Sequence, residues 1–125
     1  MFDHLSLGVR DLARARRFYD AFLAPLGASL ASEREAELGY GPGGQGAQFY
    51  LYPVAGDPVA GLGTHIAFTA DSRDAVNRAF EAAVAHGATV VRAAGLHPDI
   101  APDYYGAVLL DPDGNKLEVV AGTMH

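Results

Sequence analysis

The chain has 125 residues, no cysteine, and 9 Lys plus Arg against 15 Asp plus Glu, a formal charge of −6. That length predicts a single domain over residues 1–125, and the missing cysteine excludes a disulfide framework, a thiolate zinc site and a thiol nucleophile, leaving any metal to His, Asp or Glu. The acidic balance argues against nucleic acid, no apolar run reaches the roughly 18 residues of a membrane span, and the N-terminus lacks the basic start of a secretory leader, so a cytoplasmic protein is expected.

In chain order, residues 3–9 (Asp3-His4-Leu5-Ser6-Leu7-Gly8-Val9) alternate apolar with small or polar residues, the pattern of a half-buried strand. A helix follows, with Leu12, Ala15, Phe18, Tyr19 and Phe22 on its apolar stripe, Asp11 as N-cap, and Arg14, Arg16 and Arg17 on a solvated face. Strands are predicted at Ala28–Ala31, Ala36–Tyr40 and Ala47–Tyr52, with a turn at Gly41–Gly46. The pattern then begins again. Thr64-His65-Ile66-Ala67-Phe68 reads against Asp3-His4-Leu5-Ser6-Leu7, with the two histidines 61 residues apart. A second helix carries Ala75, Val76, Ala79, Phe80, Ala83 and Val84, capped by Asp71 or Ser72, with His86 in its last turn. Strands follow at Thr89–Ala93, Gly106–Leu110 and Lys116–Ala121.

Each half therefore reads as βαβββ: repeat 1 about 1–53, a linker about 54–62, and repeat 2 about 63–122. A unit of about 60 residues buries too little by itself, so the copies are expected to pair around one core. The fold class is α+β, two βαβββ repeats forming a curved mixed sheet, with helices on its convex face and a concave cavity.

Strand parity sorts the side chains. His4, Ser6 and Gly8 share one face, as do His65, Ala67 and Thr69, and Lys116, Glu118 and Val120. The larger apolar faces belong under the helices, which sends His4, His65 and Glu118 to the cavity. Taken singly, a histidine or glutamate on a strand is ordinarily a hydrogen-bonded or solvated residue. Two imidazoles and a carboxylate at matching positions make a facial triad suited to Fe(II), Mn(II), Ni(II) or Zn(II). The Pro-rich loop Ala94–Tyr105 adds His97, Tyr104 and Tyr105, candidates for proton transfer or substrate contact, although such a loop also needs aromatic residues to anchor it. His125 is terminal.

These motifs, together with Phe18-Tyr19 and Asp111-Pro112-Asp113-Gly114-Asn115-Lys116-Leu117-Glu118, resemble the vicinal oxygen chelate superfamily (the glyoxalase/bleomycin resistance/dioxygenase group) over essentially the whole chain. The resemblance implies that His4, His65 and Glu118 hold a divalent metal and that a small oxygen-rich substrate chelates it. The protein would then be a lyase, isomerase, transferase or dioxygenase. The alternative is a non-catalytic, bleomycin-resistance-like binding protein. It also implies a homodimer, in which His4 could come from one chain and His65 and Glu118 from the other. Glyoxalase-type members carry a fourth ligand on the first-half strand that matches that of Glu118. Aligning Gly46–Tyr52 with Gly114–Val120 puts Tyr50 there, with Gln48 two residues earlier, so Gln48, Tyr50 and Tyr52 are expected to line the substrate cavity.

Overall fold

The computed structural model describes residues 1–57 and 60–122. The second-half elements follow the first in the same order. Strand β1 (Leu5–Val9) leads into helix α1 (Leu12–Leu23), extended by a 3-10 turn (Ala24–Leu26), then β2 (Ala28–Arg34), β3 (Glu37–Pro42) and β4 (Phe49–Pro53). Strand β5 (His65–Ala70) leads into α2 (Arg73–Ala85), β6 (Thr89–Leu96), β7 (Tyr105–Leu110) and β8 (Lys116–Ala121). Each half closes its own four-stranded mixed sheet, in the order β1-β4-β3-β2 and β5-β8-β7-β6. The single curved sheet anticipated from the repeat is thus two sheets, with β1 and β5 as facing edges. Strand β6 runs three residues further than its sequence pattern indicated, which shortens the loop before β7.

Local chemistry explains the boundaries. The Asp11 carboxylate accepts from the Arg14 backbone N–H at 3.1 Å, and the Ser72 hydroxyl from the Ala75 N–H at 3.0 Å, satisfying a donor at each helix start. Ser72, rather than Asp71, is the cap of α2. The 3-10 turn ends at Gly27, whose φ of +80° suits glycine.

The core joins the halves. Helix α1 buries Ala15, Phe18, Tyr19, Phe22 and Leu23, while α2 buries the small residues Ala75, Val76, Ala79 and Ala83, which lets the helices pack together. Phe68 of the second half meets Phe22 and Phe49 of the first edge-on, with ring centroids 5.6 and 5.3 Å apart. Such pairs add stabilisation beyond the area they bury.

A polar junction pins β1 to the β7–β8 turn. The Asp111 carboxylate accepts from the Tyr19 hydroxyl (2.7 Å), the Asn115 amide (2.9 Å) and the backbone N–H groups of Asp113 and Asn115 (2.9 Å each). Asn115 also donates to the Gly8 carbonyl at 3.0 Å. The buried Asp113 carboxylate accepts from the Arg10 backbone (3.0 Å) and the Arg14 guanidinium (2.9 Å). Arg14 therefore leaves the solvated face assigned to it by the helical pattern, because a buried carboxylate must be paired. Arg16 pairs with Asp20 and Glu33 at the surface, as expected. His125 lies outside the described residues.

Candidate functional site

The parallel register of β1 with β4 pairs Ser6 with Tyr50, and that of β5 with β8 pairs Ala67 with Glu118. Since Ser6 and Ala67 are also 61 residues apart, Tyr50 occupies the strand position that Glu118 holds in the second half.

His65 stands at the start of β5 with Nδ1 3.1 Å from the Gly63 carbonyl oxygen. A carbonyl can only accept, so Nδ1 carries the proton and Nε2 of the neutral ring keeps its lone pair. That Nε2 lies 3.6 Å from Glu118 Oε1, beyond hydrogen-bond distance. Nε2 and Oε1 face each other at a separation that a proton on the ring or a cation between them would satisfy. The donor set, one imidazole nitrogen and one carboxylate oxygen, suits a borderline divalent metal. An imidazole fixed through its other nitrogen is the usual arrangement for a metal-ligating histidine. These two residues fit a metal.

Glu118 is further tied by the Tyr104 hydroxyl, which donates to Oε2 at 2.7 Å. Burial, then the carboxylate beside it, pushes the Tyr104 phenol well above its ordinary range, so it stays a donor at neutral pH.

His4 lies elsewhere. Its Nδ1 is 2.5 Å from Asp3 Oδ1, and its ring meets Tyr50 edge-on at 5.5 Å. Among the described residues no group of three His, Asp or Glu side chains converges, so His65 and Glu118 come together and His4 does not join them within the chain. Tyr50 in turn stacks with Tyr52 at 6.4 Å, and the Tyr52 hydroxyl donates to Glu37.

Two cavities flank these groups. One of about 460 Å³ opens between the edge strands, lined by Phe2, Leu5, Ser6, Leu7, Thr64, His65, Ile66 and Ala67. The other, about 410 Å³, lies at the far end of β5, where Gln48 and Thr69 sit beside Leu23, Tyr40, Phe49 and Phe68. Of the three residues expected to line one substrate cavity, Gln48 lines this second one, and Tyr50 and Tyr52 line neither.

The loop candidates separate. Tyr104 reaches Glu118. His97 Nε2 is bonded to the Ala93 carbonyl at 2.8 Å and its ring packs on Tyr104. Tyr105 turns to the helix, donating to Asn77 at 2.7 Å beneath the Arg73 guanidinium. Alternation along a strand explains why neighbours 104 and 105 part company. The Tyr104–Glu118 bond carries no short-range sequence signal, because 14 residues and a strand reversal separate the partners.

Two βαβββ units, each closing its own four-stranded mixed sheet, define the class of fold. Residues 1–119 match the family model of the Glyoxalase/Bleomycin resistance protein/Dioxygenase superfamily, and the chain belongs to that superfamily. It is similar to a glyoxalase/bleomycin resistance protein from Albidiferax ferrireducens T118, at 30% identity over 98% of this chain and 99% of that one, with a TM-score of 0.84. A glyoxalase-related enzyme from Fulvimarina pelagi shares the fold at 18% identity, covering 98% and 88% of the two chains, with a TM-score of 0.76. A glyoxalase/bleomycin resistance protein/dioxygenase family enzyme from Burkholderia phytofirmans PsJN does so at 19% identity, covering 95% and 96%, with a TM-score of 0.72. No curated protein matches the chain.

Proposed function

We propose that the protein is a divalent-metal-dependent enzyme that acts on a small oxygen-rich molecule, as a lyase, isomerase, transferase or dioxygenase. The observation that carries this reading is His65 Nε2 facing Glu118 Oε1 at 3.6 Å, with the imidazole held by Gly63 and the carboxylate by Tyr104. His65 and Glu118 would hold the metal, which when bound supplies Lewis acidity for polarising a substrate oxygen. The cavity between β1 and β5 receives the substrate: Leu5, Leu7 and Ile66 exclude water from its carbon skeleton, and the Ser6 and Thr64 hydroxyls offer hydrogen bonds to its oxygens.

The third ligand in this reading is His4 of a second copy, so the working form is a homodimer. Among the described residues β1 is paired on one side only, by β4, and β5 on one side only, by β8, so each presents an unpaired edge that a second copy can approach.

Metal analysis after loading chelator-treated protein with Zn, Ni, Mn or Fe is the test. Stoichiometric metal should disappear in His65→Ala and Glu118→Ala. A one-to-one mixture of His4→Ala and Glu118→Ala chains should recover metal, because mixed dimers assemble one intact site from two damaged chains. Failure of the wild type to take up any of these metals sinks the metal reading. Retention by His4→Ala removes His4 alone.

A second reading, binding without turnover, is favoured by the apolar walls of the cavity at Phe49 and Phe68. It requires ligand binding that survives Glu118→Ala.

A further inference from the structure

We infer that Tyr104 is a positioning residue that reserves one oxygen of Glu118, so that the carboxylate offers only Oε1 to a cation beside His65. The inference rests on the metal reading above.

The geometry divides the carboxylate between two jobs. Oε2 accepts from the Tyr104 hydroxyl at 2.7 Å, while Oε1 faces His65 Nε2. A free glutamate can use both oxygens on one metal; a glutamate with one oxygen already committed to a phenol binds through the other. A single-point ligand leaves a coordination position for substrate that a two-point ligand would take.

Tyr104 is built to stay where it is. It is 1% exposed. Its backbone carbonyl accepts from the His97 N–H at 3.0 Å, and its own N–H donates to the Ala101 carbonyl at 3.1 Å. The His97 ring packs against it at 5.9 Å. Gly106 makes the space, since a Cβ there would lie 2.8 Å from the phenol oxygen and 2.6 Å from the Val119 carbonyl oxygen. A buried tyrosine usually finds some partner for its hydroxyl; this one takes an oxygen of the carboxylate that faces His65.

Nothing equivalent exists in the first half. There Tyr50 stands in the place of Glu118, and carrying the register Gly39↔Tyr50 and Val108↔Glu118 back four residues puts Glu35 where Tyr104 would be. The restraint on carboxylate mode belongs to the second repeat alone.

Cobalt(II) alone is the probe, added to wild type, Tyr104→Phe and Tyr105→Phe. Tyr104→Phe deletes one oxygen atom and should keep the fold, checked by thermal unfolding. It should weaken cobalt binding by about 10–100-fold, the usual cost of losing a partner behind a ligand. Its visible cobalt absorption should also drop in intensity, as the freed Oε2 adds a bond. Tyr105→Phe, which loses a hydrogen bond only to Asn77, should match wild type in both respects and so exposes any merely structural effect. In a Glu118→Ala background, Tyr104→Phe should cause no further loss. Equal affinity and spectrum in Tyr104→Phe and wild type overturn the inference and leave the metal reading standing; no cobalt binding by wild type overturns both. A crystal structure of cobalt-loaded wild type needs no variant: both Glu118 oxygens on the metal would overturn the inference, and Oε2 still on Tyr104 supports it.

Discussion

The two halves of this chain share a scaffold and differ in what they put on it. His4 and His65, Ser6 and Ala67, Asp11 and Ser72, and Tyr50 and Glu118 occupy equivalent places. In the first half the Tyr50 ring lies across Gly39, where a Cβ would meet it at 2.8 Å, and fills the strand face. In the second half Glu118 pairs with Val108 and is held from the side by Tyr104. The turns that close each half differ in the same direction. Residues 111–115 fill one junction with a buried Asp–Asn–Arg–Tyr network. The glycine-rich residues 41–46 bring no such side chains to the other junction, where a cavity of about 410 Å³ remains. Duplication conserved backbone geometry, and the choice of side chain at a few register positions made one half polar and chemically equipped and the other apolar.

The largest expected effect tests the two junctions against each other. Asp111→Ala would strand the Tyr19 hydroxyl, the Asn115 amide and two backbone N–H groups inside the protein. Breaking a buried charged network in this way costs about 3–5 kcal/mol. Gly43→Ala, at the other turn, meets no atom within 4 Å, and should change stability by less than about 1 kcal/mol. Urea unfolding of both variants decides the matter. Similar losses would mean that the two junctions contribute alike and that the asymmetry is only one of appearance.

A smaller effect follows from the phenols. Tyr19, Tyr40 and Tyr104 are each raised above the ordinary tyrosine value, first by burial and then by the carboxylate each bonds: Asp111, Asp20 and Glu118. A raised value in the folded state means that the neutral phenol is favoured by folding. The stability it represents is fully present below the unfolded value of about 10, and is lost as pH rises above it towards the folded values. Ultraviolet titration should therefore show these three of the six tyrosines ionising only as the protein unfolds. Early ionisation of all six with the fold intact would contradict the buried hydrogen bonds in both halves.

Much of this was legible in the sequence, because its determinants are local. Alternation placed β1, β5 and β8 and sorted their faces. The 61-residue repeat supplied the equivalence of His4 with His65, and turn residues marked the ends. What stayed hidden depends on distant pairing. Arg14 reads as a surface residue until Asp113, 99 positions away, is buried beside it. Tyr104 and Tyr105 look alike until the fold sends Tyr104, just before β7, to Glu118 and Tyr105, its first residue, to Asn77. Parity could send His4, His65 and Glu118 to one kind of face, but the relation between two sheets decides whether three side chains meet. Within the chain, the sheets bring only His65 and Glu118 together.

The smallest effect compares the helix caps, where equivalent residues do the same job with different charge. Ser72→Ala and Asp11→Ala each remove the one side-chain acceptor at a helix start, a loss of about 1 kcal/mol. Asp11 should cost more. Helix α1 has no acidic residue in its first turn, and the nearby Asp113 carboxylate is already paired with Arg14, so Asp11 is the acid that α1's own start supplies, whereas α2 keeps Asp74 there after Ser72 is changed. A charge at a helix N-terminus adds about 0.3–1 kcal/mol, and salt screens it. Asp11→Asn retains an acceptor and removes the charge, so it should recover the hydrogen-bonding part of the loss and leave a residue that shrinks as salt is added. If Asp11→Asn matches wild type at low salt, the two caps are interchangeable hydrogen bonds, and the charge at the first helix contributes nothing.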